Sequence, residues 1–374
     1  MALIEMKKLN LIGLNSERER IMDALFRTGN AEVARSEDIE NTVFISDPKR
    51  RESYLERLNS LDFAIDFIDT LRTNKSTQKL YLATEGKKGK VERKVPLVSL
   101  AEFTAVSTME IELMAKIDEL KEINRKLAVN NAEISKLNVL AEQLVPYLTG
   151  EYAFSDIKDS KNVFMLLGTV SADSAEALKD KISANGNLSA ETERAEKTGF
   201  AAVLVTGLKE FRQEADFILS EFSFVKCPFD FEVTAKEKTE EIRNKTEELE
   251  KNNTELLIST LDYYNYVNDW KLLYDYYTFK LRKSDAESEC HKTKSAFIME
   301  AWVPADMTEI VKNEVMTETL NVYMEFTDPA ENDEPPTATR NNKIVKQFEF
   351  VTNMYTPPAY GEIDPNGFLS FFFF

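Results

Sequence analysis

Histidine and cysteine are nearly absent from this chain of 374 residues. It has one histidine, His291, and two cysteines, Cys227 and Cys290. A metal site with two histidine ligands and a framework of several disulfides are therefore excluded. Glycine and proline are also scarce, at 11 residues each. That scarcity favours long regular elements over loops.

Positive charge is in deficit. The chain has 47 lysines and arginines against 65 aspartates and glutamates, which gives a net charge of −18. Nucleic acid and anionic lipid surfaces would repel such a chain. We therefore predict no nucleic-acid partner.

Long apolar runs are missing from most of the chain. The first ten residues do not form a signal peptide, and nothing before Pro365 approaches the roughly 20 apolar residues that span a bilayer. The body of the chain is therefore expected in the cytoplasm. The end is different, since it is rich in phenylalanine. It is either a buried C-terminal strand or, as we favour, the start of a membrane helix with the entry residues Phe368, Phe371, Phe372, Phe373 and Phe374.

No catalytic pattern is found. The sequence lacks both a Gly-x4-Gly-Lys-Ser/Thr phosphate loop and a Gly-x-Gly-x-x-Gly loop. Cys290 and His291 are neighbours in sequence, but adjacent residues rarely converge as nucleophile and base, and no third group is evident. A structural role for this pair is favoured. We therefore predict no catalytic residue, no cofactor and no metal.

Two stretches repeat apolar residues every seventh position, at about 108–149 and 233–290. Such a repeat requires a partner helix wound against it. Two separate surface helices are the alternative, but both rows hold over more than four heptads, which favours an antiparallel hairpin roughly 60 Å long. This pairing predicts that Asn131 lies near Asn253. The predicted seam residues are Leu113, Leu120, Leu127, Ile134, Ile242, Leu249, Leu256 and Trp270.

Shorter elements flank and interrupt this hairpin. The insert 150–228 reads β-α-β-β-α-β, which is typical of the ferredoxin-like arrangement. A β-α-β pattern at the N-terminus begins with the apolar run Met6–Leu14, and Gly29 is predicted to end its helix. A further helix has Pro48 in its first turn and fades near Thr73, and 78–106 is predicted to be mostly loop. The N-terminal pattern and another β-α-β pattern at 295–327 would together complete a second such lobe. The predicted fold class is α+β, with two ferredoxin-like α/β lobes joined by a long antiparallel two-helix coiled coil, a dumbbell.

The predicted domains follow from these patterns. A proximal lobe is built from residues 1–107 and 291–328, and a distal lobe from 150–232. The coiled-coil helices occupy 108–149 and 233–290, and 329–374 is a linker followed by the start of the first membrane helix.

Four short segments carry a family resemblance. They are MKKLNLIGL at 6–14, AWVP at 301–304, FEFVTNMY at 348–355 and YGEIDP at 360–365. Together they resemble subunit I of the prokaryotic V/A-type rotary ATPases, the counterpart of V-ATPase subunit a. The resemblance covers the whole chain, but the middle part carries little family information of its own.

The resemblance implies a non-catalytic stator subunit at the cytoplasmic face of the membrane. Its expected partners are peripheral-stalk heterodimers of the E/G type at both lobes and the rotor cap subunit of the d/C type near the proximal lobe. The rotor ring would be contacted through a membrane half that this chain lacks. An unrelated coiled-coil membrane tether or adaptor is the alternative, and an enzyme is disfavoured.

The missing phosphate loop leads to a first prediction. The isolated chain should neither bind nor hydrolyse ATP, because it has no glycine-rich loop of the kind that holds the phosphates. Isothermal titration calorimetry tests this directly. A micromolar affinity for ATP would contradict the non-catalytic interpretation.

Overall fold

The structure is a computed structural model that describes residues 4–35, 39–74, 77, 98–194, 199–331, 333–338 and 360. The chain divides into two compact units. Unit 1 comprises Met1–Phe67, Arg93–Met114 and Tyr266–Phe374, and unit 2 comprises Ile68–Glu92 and Ala115–Asn265. This division is coarser than the domains predicted from the sequence, which remain predictions.

The described part of the chain is mixed helix and sheet, with several long helices. The helices are α1 (Arg18–Thr28), α2 (Pro48–Thr73), α3 (Leu100–Ala105), α4 (Glu110–Leu144), α5 (Ala175–Ser183), α6 (Arg212–Glu221), α7 (Ala235–Ser259), α8 (Val267–Ser288) and α9 (Thr308–Glu318). None of the helices described here is long and apolar enough to cross a membrane.

All strands pair antiparallel. They are β1 (Met6–Leu14), β2 (Glu32–Ala34), β3 (Val43–Phe44), β4 (Val163–Ser171), β5 (Leu188–Arg194), β6 (Phe200–Leu208), β7 (Val225–Lys226), β8 (His291–Lys292), β9 (Ala296–Pro304) and β10 (Val322–Thr327). The order predicted for 150–228 is the order found, β4-α5-β5-β6-α6-β7, whereas the two-residue strands β3 and β8 of unit 1 were not predicted. Gly29 ends α1 in the left-handed region with φ 62°, as its position predicted.

One expected helix is interrupted. The sequence predicted a continuous second helix over 233–290, but Thr260–Tyr266 winds as a 3-10 segment between α7 and α8. The Ser259 hydroxyl donates to the Leu256 carbonyl at 2.7 Å, and the Thr260 hydroxyl donates to the Leu257 carbonyl at 2.6 Å. Such side-chain bonds compete with the backbone for the same carbonyls. The heptad pattern alone does not reveal this competition.

A second correction concerns 78–106, which was predicted to be mostly loop. Residues 78–97 lie outside the described residues, but α3 is helical. The Ser99 hydroxyl accepts from the Glu102 N–H at 3.3 Å, and the Glu102 carboxylate accepts from the Ser99 N–H at 2.8 Å. This capping box satisfies two backbone donors and starts the helix. Its Ser-x-x-Glu pattern was visible in the sequence.

The sheet of unit 1 follows the order β10-β1-β9-β8-β3, and β2 also pairs with β9. On one face α1 and α9 pack side by side over Leu9 and Leu11 of β1 and Phe297 and Met299 of β9. The core thus lies between the two helices and the sheet.

Two ion pairs, each with one buried member, join helices within unit 1. Glu287 of α8 is 1% exposed, and its carboxylate lies 2.5 Å from the Arg50 guanidinium of α2. Lys283, one turn earlier on α8, lies 2.6 Å from Asp23 of α1. A buried charge that loses its partner is strongly destabilising. These pairs therefore fix α8 against α1 and α2.

The sheet of unit 2 follows the order β5-β6-β4-β7. Helices α5 and α6 cover one face, where Phe164, Leu166, Val203 and Val205 lie in the core. Leu167 and Ala202 point to the other face, which is covered by the ends of α4 and α7. The central strands are apolar on both faces for this reason.

The ion pair on α2 leads to the second prediction. Arg50→Ala should lower the free energy of unfolding by about 3 kcal/mol, because it leaves the Glu287 carboxylate buried without a counter-charge. Urea denaturation followed by circular dichroism measures the change.

Arg51→Ala is the matched control. Arg51 lies 2.8 Å from Asp285, but both side chains are about half exposed, so its loss should cost less than about 1 kcal/mol. Equal costs for the two variants would show that the buried pair does not secure α8.

Candidate functional site

Four asparagines link α4 to α7 in unit 2. Asn130 donates to the side-chain oxygens of Asn252 and Asn253 at 3.1 and 2.8 Å, and Asn253 donates to the side-chain oxygen of Asn131 at 2.9 Å. We call these four residues the asparagine cluster. It confirms the predicted proximity of Asn131 and Asn253 and the antiparallel pairing of the two helices.

The cluster favours one alignment of the two helices. A shift of one helical turn, about 5.4 Å, would break all three hydrogen bonds at once. Asn130 and Asn253 are half-buried, whereas Asn131 and Asn252 are exposed. The hydrogen bond from Asn130 to Asn253 therefore contributes most to this register, because water can satisfy the exposed amides if the helices shift.

The predicted seam residues differ in burial along the helices. Leu120, Leu127 and Ile242 are buried in unit 2, and Leu113 and Trp270 are buried in unit 1. The other three predicted seam residues, Ile134, Leu249 and Leu256, are half-buried. A groove of about 340 Å³ opens between α4 and α7 and is lined by Leu137, Leu140, Lys238, Glu241, Ile242, Asn244, Lys245 and Glu248.

Further polar contacts in unit 2 hold the 3-10 segment. The Tyr263 hydroxyl donates to the Glu119 carboxylate of α4 at 2.8 Å. Hydrogen bonds from Lys116 and Tyr263 lower the pKa of Glu119. The Arg72 guanidinium, near the end of α2, lies 4.2 Å from the centroid of the Tyr264 ring, a favourable cation–π distance. The segment is thus attached to both α2 and α4.

Three helices meet around Tyr277 in unit 1. The Arg57 guanidinium of α2 lies 2.6 Å from the Glu110 carboxylate of α4 and 5.5 Å from the centroid of the Tyr277 ring of α8. Burial and the hydrogen bond to Glu110 raise the pKa of Tyr277. The Trp270 indole N–H also donates to the Leu113 carbonyl at 3.2 Å. Sequence periodicity paired α4 with the second helix but gave no sign that α2 joins them.

An aromatic cluster joins the α/β part of unit 2 to the ends of α4 and α7. The rings of Tyr147, Phe154, Phe229 and Phe231 lie 5.3 to 6.3 Å apart, centroid to centroid. Burial raises the pKa of Tyr147, which lies against Cys227. The α/β part is therefore packed onto the helices through rigid side chains.

Cys290 and His291 both make packing or hydrogen-bond contacts typical of structural residues. Cys290 lies in the core of unit 1, and burial raises the pKa of its thiol to about 12, which disfavours a thiolate nucleophile. His291 Nδ1 lies 2.8 Å from the Thr42 hydroxyl, and its ring lies 4.1 Å from the ring of Phe44.

In the part of the chain that the structure describes, no group of three or more histidine, cysteine, aspartate or glutamate side chains is placed to hold a metal ion. The predicted membrane entry at Phe368–Phe374 lies outside the described residues.

Comparison with known proteins finds similarity to proteins of one class, the subunits of A-type ATP synthases. Each of the three relatives described here is subunit I of such a synthase. The protein from Methanocaldococcus jannaschii is 26% identical over 99% of this chain and 56% of its own length. The protein from Methanothermobacter thermautotrophicus is 22% identical over 98% of this chain and 57% of its own length. A third, from Pyrococcus abyssi, is 36% identical over 25% of this chain and 15% of its own length.

These alignments confirm the resemblance to subunit I, and they extend over both units. The chain spans little more than half the length of the two relatives that match nearly all of it. No protein-family model matches the chain. A crystal structure of the cytoplasmic N-terminal domain of V-ATPase subunit I, homolog of subunit a, aligns with 86% of this chain at 14% identity and a TM-score of 0.36. That score is too low to support an argument.

The asparagine cluster leads to the third prediction. In a background in which Cys227 and Cys290 are replaced by alanine, Asn131→Cys with Asn253→Cys should crosslink efficiently with a short bis-maleimide. The two side chains are in direct contact, so the reagent can bridge them. The fraction crosslinked is measured after proteolysis by mass spectrometry.

The control pair is Asn131→Cys with Thr246→Cys. It moves the second thiol seven residues along α7, about 10 Å, and should crosslink poorly. Equal or faster crosslinking of the control pair would show that the register is wrong.

Proposed function

We propose that this chain is a non-catalytic stator subunit of a rotary V/A-type ATPase. In this role it would anchor the peripheral stalks to the membrane sector, so that ATP hydrolysis or synthesis is coupled to proton or sodium transport. The observation that carries the proposal is the similarity to A-type ATP synthase subunit I over 99% of the chain. The chain itself would have no active site.

The contacts between the long helices are consistent with a subunit that resists deformation. A stator must bear torque without letting its elements slide. The asparagine cluster opposes sliding of α4 along α7 in unit 2, and the contacts of Arg57 and Trp270 tie α2, α4 and α8 together in unit 1. Each contact is directional, so displacement along a helix axis breaks it.

The fold that we propose for the lobes is ferredoxin-like in both units. In unit 2, β5-β6-β4-β7 places the four strands of the motif in the order second, third, first, fourth. The main strands of unit 1 follow the same order, with β2 and β10 on either side of β9 and β1. The dumbbell and the predicted domain boundaries remain part of this proposal.

The proposed partners are peripheral-stalk heterodimers at both lobes, the rotor cap subunit near the proximal lobe and the rotor ring through a membrane half. The proposed location is the cytoplasmic face of the membrane, with membrane entry at Phe368–Phe374. Two separate stalk contacts would need only modest affinity each, because linkage raises the overall avidity.

The fourth prediction tests stalk binding. The intact chain should bind a purified peripheral-stalk heterodimer of the same complex. Replacing 150–232 by a short turn should weaken binding about tenfold or more, because one of two linked contacts is lost. Biolayer interferometry measures both affinities.

The deletion variant is designed to keep the helices intact. The capping box of α7, formed by Thr234 and Glu237, is retained, and Tyr147→Gln removes a ring that the deletion would expose. Circular dichroism and sedimentation confirm helicity and a monomeric state. If this variant binds the stalk as tightly as the intact chain, the distal lobe is not a docking site.

A further inference from the structure

The outer face of the unit 1 sheet, opposite α1 and α9, is arranged in rows across the strands. Ile12 of β1 lies beside Tyr323 of β10 and Ile298 of β9. Asn10 likewise lies between Glu325 and Glu300 in the next row, and Lys8 lies between Thr327 and Trp302 in the row after that. Paired residues of neighbouring strands point to the same side of a sheet. Each row therefore presents three side chains to the outer face.

The chain itself covers one end of this face. The segment 328–338 was predicted as a linker. Its described residues, 328–331 and 333–338, form no helix or strand but are bound to the N-terminal part of unit 1. The Asp333 carboxylate lies 3.2 Å from the Lys8 ammonium, and the Ala338 carbonyl accepts from the Ile4 N–H at 2.9 Å. Trp302 beside Lys8 is only 7% exposed. Here an acidic segment covers a row that contains a lysine.

The other end of the face is open and apolar. Ile12, Leu14 and Tyr323 are 43%, 39% and 55% exposed. They are contiguous, because Ile12 pairs with Tyr323 and Leu14 follows two residues later on the same side of β1. We call these three residues the outer patch.

Opposite charges flank the outer patch. On one side are Glu325 and Glu300. Glu300 lies 3.2 Å from the Lys8 ammonium, whereas Glu325 has no cationic partner among the described residues and, through its interaction with the Tyr323 hydroxyl, raises the pKa of Tyr323. On the other side is the exposed Lys294, next to Ser295, whose carbonyl accepts from the Asn15 N–H at 2.9 Å.

We propose that the outer patch docks an amphipathic helix of a partner protein, with lysines or arginines on the flank that faces Glu325 and Glu300. The partner assignment rests on the proposed function, since a peripheral-stalk subunit would contribute the helix. Three adjacent strands span about 10 Å, which matches the diameter of a helix. The segment 328–338 already covers the other end of the face through opposite charge.

Charge also selects against two other occupants. A second copy would bring two chains of net charge −18 together and would place Glu325 near its own counterpart. An anionic membrane surface would meet the same carboxylates. Both are electrostatically unfavourable.

The first arm of the test uses two model peptides and the full chain. One is a leucine/lysine amphipathic helix, and the other has the same pattern with glutamate in place of lysine. Fluorescence anisotropy should show binding of the lysine peptide alone. Tyr323→Glu and, separately, the surface change Glu325→Lys should each weaken that binding about tenfold, as expected for the centre of a small interface.

Val43→Glu is the control. Val43 is 61% exposed on β3, outside the outer patch, so this variant should bind like the parent. Circular dichroism verifies that each variant is folded. Unchanged binding of the lysine peptide by both patch variants would overturn the proposal.

The second arm repeats the measurement with the purified stalk heterodimer. Weaker binding of both patch variants supports the stalk as partner. If the parent binds the stalk and the patch variants bind it equally well, stalk docking stands but the outer patch is not the surface used.

If the parent binds the lysine peptide but not the stalk, the proposed function fails, while the preference of the patch for a basic amphipathic helix holds. A dimer that dissociates on Tyr323→Glu in sedimentation would overturn the helix as occupant in favour of a second copy.

Discussion

The alignment of α4 with α7 is the constraint on which unit 2 depends. Apolar residues at seven-residue spacing are nearly equivalent from one heptad to the next, so leucine packing alone would tolerate several alignments. The asparagine cluster reduces that degeneracy, because its three hydrogen bonds form in one register only. Once the helices are aligned, their ends form a defined platform. Leu144 and Ala235 then meet Leu167 and Ala202 on the second face of the sheet.

The same logic applies to the two ion pairs that α8 makes in unit 1. Lys283 and Glu287 lie one turn apart on α8 and pair with residues from two different helices, Asp23 and Arg50. Apolar residues at these positions would pack with many neighbours, whereas a buried charge accepts only its counter-charge. Unit 1 thus uses charge where unit 2 uses amides to select one arrangement of helices.

Much of this arrangement could be predicted from the sequence. Strand β1 and helix α2 have the predicted bounds, because an apolar run ending in Gly-Leu and a proline at the first helical turn are strong local signals. The contact between Asn131 and Asn253 followed from heptad arithmetic. The signals that succeeded are local or periodic.

The features that could not be predicted depend on contacts between distant residues. Nothing near Arg57 indicates that it meets Glu110 and Tyr277, and nothing near Asp333 indicates that it returns to Lys8. The 3-10 segment was not predicted because serine and threonine, as at Ser259 and Thr260, also occur in regular helices. Their effect depends on which carbonyl they meet in the folded chain.

That 3-10 segment has a mechanical consequence. A 3-10 helix rises about 2.0 Å per residue against 1.5 Å in an α-helix. Conversion of Thr260–Tyr266 to α-helix would therefore shorten the backbone by about 3.5 Å and change its winding by roughly 140°. Because Tyr263 and Tyr264 are attached to Glu119 and Arg72, that conversion would first have to break a hydrogen bond and a cation–π contact. Under compression along the helix axis, the segment would therefore shorten only after both of these contacts had broken.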